Sequence, residues 1–129
     1  MLLDSNIIIY SVQPEHSQLR ALIAENAPAV SALSYLEVLG YHLLTEQQRQ
    51  YFEAFFQVAQ MLPISQAVLD QAVALRQHRK MTLGDAMIAG TALVYDLMLI
   101  TRNVDDFRWI ADLKLLNPFD RHEPKSDVD

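Results

Sequence analysis

The sequence predicts an α/β fold in which a central parallel sheet is flanked by helices. Short apolar runs suited to buried strands occur at residues 2–4, 29–31 and 97–101. Between these runs, longer segments carry apolar residues three and four positions apart, which is typical of amphipathic helices. Strands that alternate with helices predict parallel pairing, because each helical connection carries the chain back across the sheet.

Five strands are predicted, and each is short. They cover residues 2–4, 29–31, 61–64, 97–101 and 113–116. Pro63 falls in the third run, and proline cannot donate a hydrogen bond to a neighbouring strand. We therefore expect this strand to lie at an edge of the sheet or to end at the proline.

The predicted helices fill the intervals between the strands. They cover residues 6–12, 15–26, a segment that ends near residue 44, 46–60, 66–80 and 83–95. Their starts are marked by helix-capping residues or proline: Pro14, Ser31 or Ser34, Thr45, Ser65 and Thr82. The last helix is rich in alanine and glycine, so we expect it to pack closely against the sheet or another helix. Residues 103–107 are predicted to form a turn.

The composition limits the class of protein. The 129 residues suit one domain, which we assign to residues 1–119, with a polar and flexible tail at 120–129. The formal charge of −6 disfavours a protein that simply coats nucleic acid. Because cysteine is absent, disulfides, thiolate zinc sites and cysteine nucleophiles are excluded. The sequence has neither a membrane-length apolar run nor a cleavable signal, so we expect a cytoplasmic protein that makes no membrane contact.

Three acidic residues lie near the predicted strand ends. Asp4 ends the first strand, Glu37 lies about two turns into the helix after the second strand, and Asp85 lies in the first turn of a helix. We expect them to converge, because strand ends and the helix starts that follow share one edge of a parallel sheet. Neighbouring carboxylates repel one another unless a cation neutralises them, and oxygen ligands suit Mg²⁺ or Mn²⁺. The pattern therefore predicts an acidic cation site.

Helix capping is the alternative role for each of these acids. Asp4 can accept a hydrogen bond from the amide of Asn6 or Ile7. Glu37 stands three residues after Ser34, which is the spacing of a capping box. Asp85 follows Thr82 at the same spacing. Each acid taken singly fits a cap, whereas their combination favours the cation site.

Four segments occur in an order that carries a family resemblance. They are Leu3-Asp4-Ser5-Asn6, Ser34-Tyr35-Leu36-Glu37, Leu83-Gly84-Asp85-Ala86-Met87-Ile88-Ala89, and Ile100-Thr101-Arg102-Asn103 with Asp106-Phe107. Together they resemble the PIN domain, and within that family the VapC toxins of bacterial VapBC toxin–antitoxin pairs. The resemblance spans residues 1–119. It implies a single PIN-like domain that acts as an Mg²⁺-dependent endoribonuclease on single-stranded RNA, as the toxin of a type II pair.

The resemblance also implies roles for particular residues. Asp4 and Asp85 match the principal ligands of Mg²⁺, for which Mn²⁺ can substitute, and Glu37 matches a third catalytic acid. Asn103 stands where the family commonly has a fourth acid; its carbonyl can ligate but supplies no charge. Asp106 is a further candidate ligand, and capping of a turn is its alternative role.

Hydrogen-bonding residues are expected to hold these acids in place. The candidates for this role are Ser5, Asn6 and Thr101. Candidate contacts to the RNA backbone come from Arg76, Arg79, Lys80 and Arg102, with Arg108 as a further cation. Cations at a solvated helix end, where they favour the helix dipole, are the alternative explanation for the first three.

The implied partners are a second copy of the chain and a cognate VapB-type antitoxin, and DNA would be bound only through the antitoxin. Tyr41, Phe52 and Phe55 are candidates for these protein contacts, and core packing explains them equally well. Two other functions stay open. One is a catalytically inactive PIN-like binding module, which Asn103 favours. The other is an aspartate-based phosphatase or receiver-type domain that uses Asp4.

Overall fold

The computed structural model describes residues 1–120. Within them, five parallel strands form one sheet with the order β3-β2-β1-β4-β5, and helices cover both faces. The predicted α/β class with a central parallel sheet is confirmed. The strands are β1 Leu2–Leu3, β2 Ala29–Ser31, β3 Gln60–Leu62, β4 Leu99–Ile100 and β5 Leu115–Leu116.

Six α-helices and two 3₁₀ turns connect the strands in the described part of the chain. The helices are α1 Ser5–Ser11, α2 Ser17–Glu25, α3 Ala32–Leu39, α4 Glu46–Val58, α5 Gln66–His78 and α6 Leu83–Tyr95. The 3₁₀ turns are Pro14–His16 and Val104–Asp106. The predicted helix over 15–26 therefore begins as a 3₁₀ turn, and Pro14 occupies the first position of that turn.

Successive residues of each central strand point to opposite faces of the sheet, so the protein has two apolar cores. Leu2, Ala29 and Leu99 face the core formed with α5 and α6. Leu3, Val30 and Ile100 face the core formed with the first four helices. These strand residues are almost completely buried, which explains why the strands read as continuous apolar runs instead of alternating ones.

Several predicted boundaries are wrong. The helix that was expected to reach residue 44 ends at Leu39, and Gly40 closes it by donating its amide hydrogen to the Leu36 carbonyl at 2.9 Å. A side-chain carbon on Gly40 would collide with that carbonyl oxygen, so the close turn requires glycine. β2 has the predicted bounds, whereas the other four strands are shorter than predicted. β3 ends just before Pro63 and lies at one edge of the sheet, as proline requires.

The close packing of α6 that its small residues predicted is present. A side-chain carbon on Gly90 would lie only 3.0 Å from the Val68 carbonyl oxygen and 3.3 Å from the Ala72 amide nitrogen. Glycine therefore allows α5 and α6 to approach each other. No helix among residues 1–120 is long and apolar enough to cross a membrane. The predicted tail lies outside the described residues, apart from Asp120.

The three aromatic candidates for partner contacts differ in exposure. Tyr41 is half exposed, at 52%, on the loop after α3. Phe52 is 2% exposed and belongs to the core beneath α4, so its candidacy as a surface contact is wrong. Phe55 is partly buried and packs against the edge of the same core.

Phe52→Ala should lower the free energy of unfolding by about 3–5 kcal/mol, because it leaves a cavity in a closed core. Phe55→Ala, one turn along the same helix, should cost about 1 kcal/mol because it loses only part of a buried side chain. Urea unfolding of the two variants measures the difference. Equal losses would show that α4 does not bury Phe52 as described.

Candidate metal centre

Asp4 is held at the end of β1 through both of its carboxylate oxygens. Oδ1 accepts a hydrogen bond from the Ser5 amide at 2.8 Å, and Oδ2 accepts one from the Thr101 hydroxyl at 2.8 Å. Its own amide donates to the Ile100 carbonyl at 3.0 Å, which continues the pairing of β1 with β4. Asp4 thus caps α1, but through the amide of Ser5 and not that of Asn6 or Ile7, and its carboxylate still lines a cavity at the strand ends.

Glu37 is positioned by two serines from different helices. The Ser5 hydroxyl donates to Glu37 Oε1 at 2.6 Å and shares a 2.8 Å hydrogen bond with the Ser34 hydroxyl. The capping-box interpretation of Ser34 and Glu37 is wrong, because Ser31 caps α3 by accepting a bond from the Leu33 amide. The spacing of three instead places Ser34 and Glu37 on one face of the helix, toward Ser5.

Asp85 takes part in the cap of α6 through its backbone amide, and it lines the same cavity as Asp4 and Glu37. The Thr82 hydroxyl accepts a hydrogen bond from the Asp85 amide at 3.0 Å, so Thr82 caps α6 as predicted. A side-chain carbon on Gly84 would lie 3.5 Å from Glu37 Oε2, which is an ordinary van der Waals distance. The start of α6 therefore lies beside Glu37 of α3.

One cavity of about 380 Å³ brings together the three predicted catalytic acids. Its polar lining consists of Asp4, Ser5, Asn6, Glu37, Thr82, Asp85 and Asn103. Asn6 is exposed and makes no hydrogen bond to Asp4 within residues 1–120. The backbone amide of Asn103 donates a hydrogen bond to the Thr101 hydroxyl at 3.1 Å. This bond connects the loop after β4 to the threonine that orients Asp4.

Burial and mutual repulsion disturb the two aspartates. Burial raises the pKa of Asp4, although hydrogen bonds from Thr101 and Ser5 partly oppose the rise. Burial also raises the pKa of Asp85, and the charge of Asp4 is the next largest cause. The charges of Glu37 and Asp106 raise both pKa values further. The four acids therefore form one electrostatically coupled group.

Asp106 lies at the border of this group. It does not cap the turn that contains it, since backbone bonds close that turn: the Asp106 amide donates to the Asn103 carbonyl and the Phe107 amide to the Val104 carbonyl. Asp106 lines a second cavity, which shares Thr82 and Asp85 with the first.

The predicted cations divide into two sets. Arg76, Arg79 and Lys80 line the second cavity beside Asp85. Arg102 lines neither of these cavities; its guanidinium carbon lies 5.3 Å from the Tyr10 ring centre and 5.0 Å from that of Phe119. A further cation, Arg108, forms an ion pair with Asp105 at 2.6 Å.

Two residues of this region were not singled out from the sequence. Ser34 had been assigned to capping, although its distance of three residues from Glu37 was the available signal for a shared helix face. Trp109 lines the second cavity, and the sequence offered only its position three residues after Asp106.

A family model of the PIN domain matches residues 1–113. The chain belongs to the PIN-domain family. The PIN resemblance inferred from four short segments is thereby confirmed, and the match covers both cavities. Comparison with curated proteins found no match.

Solved structures of toxin–antitoxin complexes share this PIN fold. A toxin–antitoxin complex from Klebsiella pneumoniae contains a chain that is 33% identical, with a TM-score of 0.76 over 91% of this chain and 96% of that one. Two DNA-bound complexes are similar in fold. In VapBC2 from Rickettsia felis, the similar chain is 22% identical, with a TM-score of 0.77 over 90% of this chain and 96% of that one. In VapBC from Salmonella typhimurium, it is 20% identical, with a TM-score of 0.79 over 91% of this chain and 96% of that one.

The oxygen-rich cavity of this PIN domain suits a hydrated Mg²⁺. Within residues 1–120, no three acidic or histidine side chains lie close enough to enclose a cation by themselves. Mg²⁺ seldom needs such a cage, because it keeps several waters and binds through one or two carboxylates. Two half-buried aspartates that repel each other, with Glu37 and Asn103 nearby, offer that kind of donor set.

The raised pKa of Asp85 should be visible in the stability of the metal-free protein. The folded state binds this proton more tightly than the unfolded state, so stability falls as pH rises from about 3.9, the ordinary aspartate value, through the raised pKa. Asp85→Asn removes that loss. The free energy of unfolding of the variant minus that of the wild type should therefore increase across this window and then level off.

Urea unfolding in EDTA at a series of pH values measures this difference. Asp4→Asn should show a change of the same sign, because the pKa of Asp4 is raised for the same main reason. A difference that stays flat or decreases with pH would contradict the raised pKa values of the two aspartates.

Proposed function

We propose that this PIN domain is an Mg²⁺-dependent endoribonuclease that cleaves single-stranded RNA and acts as the toxin of a type II toxin–antitoxin pair. The observation that carries the proposal is the cavity in which Asp4, Glu37, Asp85 and Asn103, from four separate parts of the chain, meet at the ends of β1 and β4. Membership of the PIN-domain family supports the same conclusion.

Asp4 and Asp85 would hold Mg²⁺, with Glu37 as the third acid and Asn103 and Asp106 as additional oxygen donors. When bound, the ion offsets the repulsion among these acids and supplies Lewis acidity for the attack of water on a phosphodiester. Mn²⁺, which accepts the same ligands, should substitute. Because Asn103 supplies no charge, the site has less negative charge to hold a second ion.

The remaining groups orient these acids. Thr101 is completely buried and has one hydroxyl hydrogen, which it gives to Asp4. Ser5 likewise has one hydroxyl hydrogen; when that hydrogen goes to Glu37, the bond shared with Ser34 must be donated by Ser34. Asp4 and Glu37 are therefore held by these hydrogen bonds before any ligand binds, which lowers the cost of assembling the site.

An antitoxin partner is supported by apolar surface beside the acids. Leu36 and Leu83 are 68% and 62% exposed, and they directly precede Glu37 and Gly84, which line the acid cavity. Exposed large apolar side chains beside a site favour a protein contact. We propose a VapB-type antitoxin as the partner; the 33% identical chain from Klebsiella pneumoniae belongs to a toxin–antitoxin complex. We also propose that the toxin is a homodimer and reaches DNA only through the antitoxin.

Incubation of total RNA with the antitoxin-free protein tests the activity. Cleavage should occur with Mg²⁺ or Mn²⁺ and stop with EDTA, and Asp4→Asn and Asp85→Asn should each lower the rate more than about 100-fold, since even the partners of metal ligands contribute about 10- to 100-fold. Asp70→Asn, an exposed acid on α5, is the matched control and should cleave normally.

Cation binding provides a second, independent measurement. Calorimetric titration with Mn²⁺ should show binding to the wild type and weaker binding to Asp85→Asn. Binding of Mn²⁺ without cleavage of any RNA would favour the inactive binding module. Absence of both would contradict the proposal, and incorporation of label from a small phosphodonor at Asp4 would favour the phosphatase or receiver-type function.

Ser5→Ala should lower cleavage about 10- to 100-fold while leaving the fold intact, because Glu37 loses the donor that orients it. The Ser5 amide bond to Asp4 survives this change, so the loss should be smaller than that of Asp4→Asn. Ser5→Thr keeps the hydroxyl and should restore much of the rate. Equal loss in Ser5→Ala and Ser5→Thr would indicate that packing, and not the hydrogen bond, matters at this position.

A further inference from the structure

The second cavity adjoins the acids but has a different lining. Its volume is about 600 Å³, within the range of pockets that hold small organic groups. Thr82 and Asp85 belong to both cavities, so a ligand that occupies one lies directly beside the other. The second cavity also contains an aromatic residue, Trp109, which the acid cavity lacks.

Trp109 and Arg79 form a stacked pair in this cavity. The guanidinium carbon of Arg79 lies 5.5 Å from the centre of the indole ring. The indole N–H donates to the Asp106 carbonyl at 3.2 Å, and the ring packs against the buried cluster beneath α6. The ring is therefore fixed in place by the same turn that presents Asp106 beside Asp85. A fixed aromatic surface binds a ligand with little loss of conformational entropy.

Within residues 1–120, the three cations of this cavity form no ion pairs, although Asp85, Asp105 and Asp106 also line it. In the part of the chain that the structure describes, no ion pair involves Arg76, Arg79 or Lys80. Arg76 donates to the Met81 carbonyl at 3.1 Å, which places its guanidinium against the loop between α5 and α6. The helix dipole accounts for cations at the end of α5. It does not account for a tryptophan in the same cavity, or for the position of this cavity directly beside the acid cavity, with which it shares Thr82 and Asp85.

We propose that Arg79 and Trp109 form a stacking platform for one base of single-stranded RNA next to the phosphodiester that is cleaved, with Lys80 and Arg76 beside its phosphate. The proposal rests on the proposed ribonuclease function and adds a nucleotide subsite to it. Bases stack on aromatic rings and on guanidinium planes, and because every base has such a face, the subsite should require a base without strongly selecting its identity.

Trp109 is the only tryptophan of the chain, so its fluorescence reports on this cavity alone. The first experiment titrates the Asp4→Asn protein in EDTA with octauridylate and with an octamer of abasic spacer phosphates of equal charge. Asp4→Asn prevents cleavage and removes one repelling charge. Octauridylate should quench the emission with saturation, and the abasic octamer should not. Equal quenching by both, or quenching by neither, would overturn the platform.

The second experiment measures cleavage of the same oligonucleotide in the presence of Mg²⁺. Trp109→Leu and Arg79→Ala should raise KM about 5- to 100-fold, the effect of losing one stacked base, with kcat changed little. Trp109→Phe should restore most of the affinity. Lys114→Ala removes one positive charge outside both cavities and serves as the matched control for Arg79→Ala.

The two proposals fail in different ways. If the wild type cleaves RNA and these variants keep their KM, the platform is wrong and the ribonuclease function stands. If the wild type cleaves no RNA, the ribonuclease function is in question, and the fluorescence titration still decides whether a base binds at Trp109. Should Trp109→Leu fail to fold, Arg79→Ala and the titration carry the same decision.

Discussion

The acid cavity depends on the pairing of β1 with β4 at the centre of the sheet. The Asp4 backbone amide donates a hydrogen bond to the Ile100 carbonyl. Thr101, which directly follows β4, donates a hydroxyl hydrogen bond to the Asp4 carboxylate. The order of strands reverses at β1, with β2 and β3 on one side and β4 and β5 on the other. Open parallel sheets form their ligand crevices at such reversals. Without this pairing, Asp4 would lie apart from Asn103, and the acid cavity would not form.

The acids oppose the stability that the two cores provide. Burial and like charges raise the pKa values of Asp4 and Asp85, so the deprotonated cavity is less favourable in the folded protein than in the unfolded chain. The Thr101 hydroxyl offsets part of this cost at Asp4, and hydrogen bonds from Thr101 and Ser5 orient Asp4 and Glu37. An arrangement selected for stability alone would place apolar residues here, as both faces of the sheet do a few residues away.

The fold class and the identity of the acids could be predicted from local patterns, whereas their surroundings could not. Apolar runs identified β1 and β2, and Thr82 correctly marked the start of α6. Ser34 and Glu37 show the limit, because a spacing of three residues fits both a capping box and a shared helix face. The choice is made by Ser5, which is 29 residues from Ser34 in the sequence. The stack of Arg79 on Trp109 is likewise decided only by tertiary packing.

The bond between Asp4 and Thr101 joins residues 97 positions apart, and this distance sets the order of events during synthesis. Ribosomes add about 5–20 residues per second, so a nascent chain that already contains Asp85 waits roughly one to three seconds before Thr101 is added. Throughout that interval β1 has no β4 beside it, and the crevice has an open side. Late closure of the sheet therefore leaves the acid cavity incomplete until most of the chain has been translated.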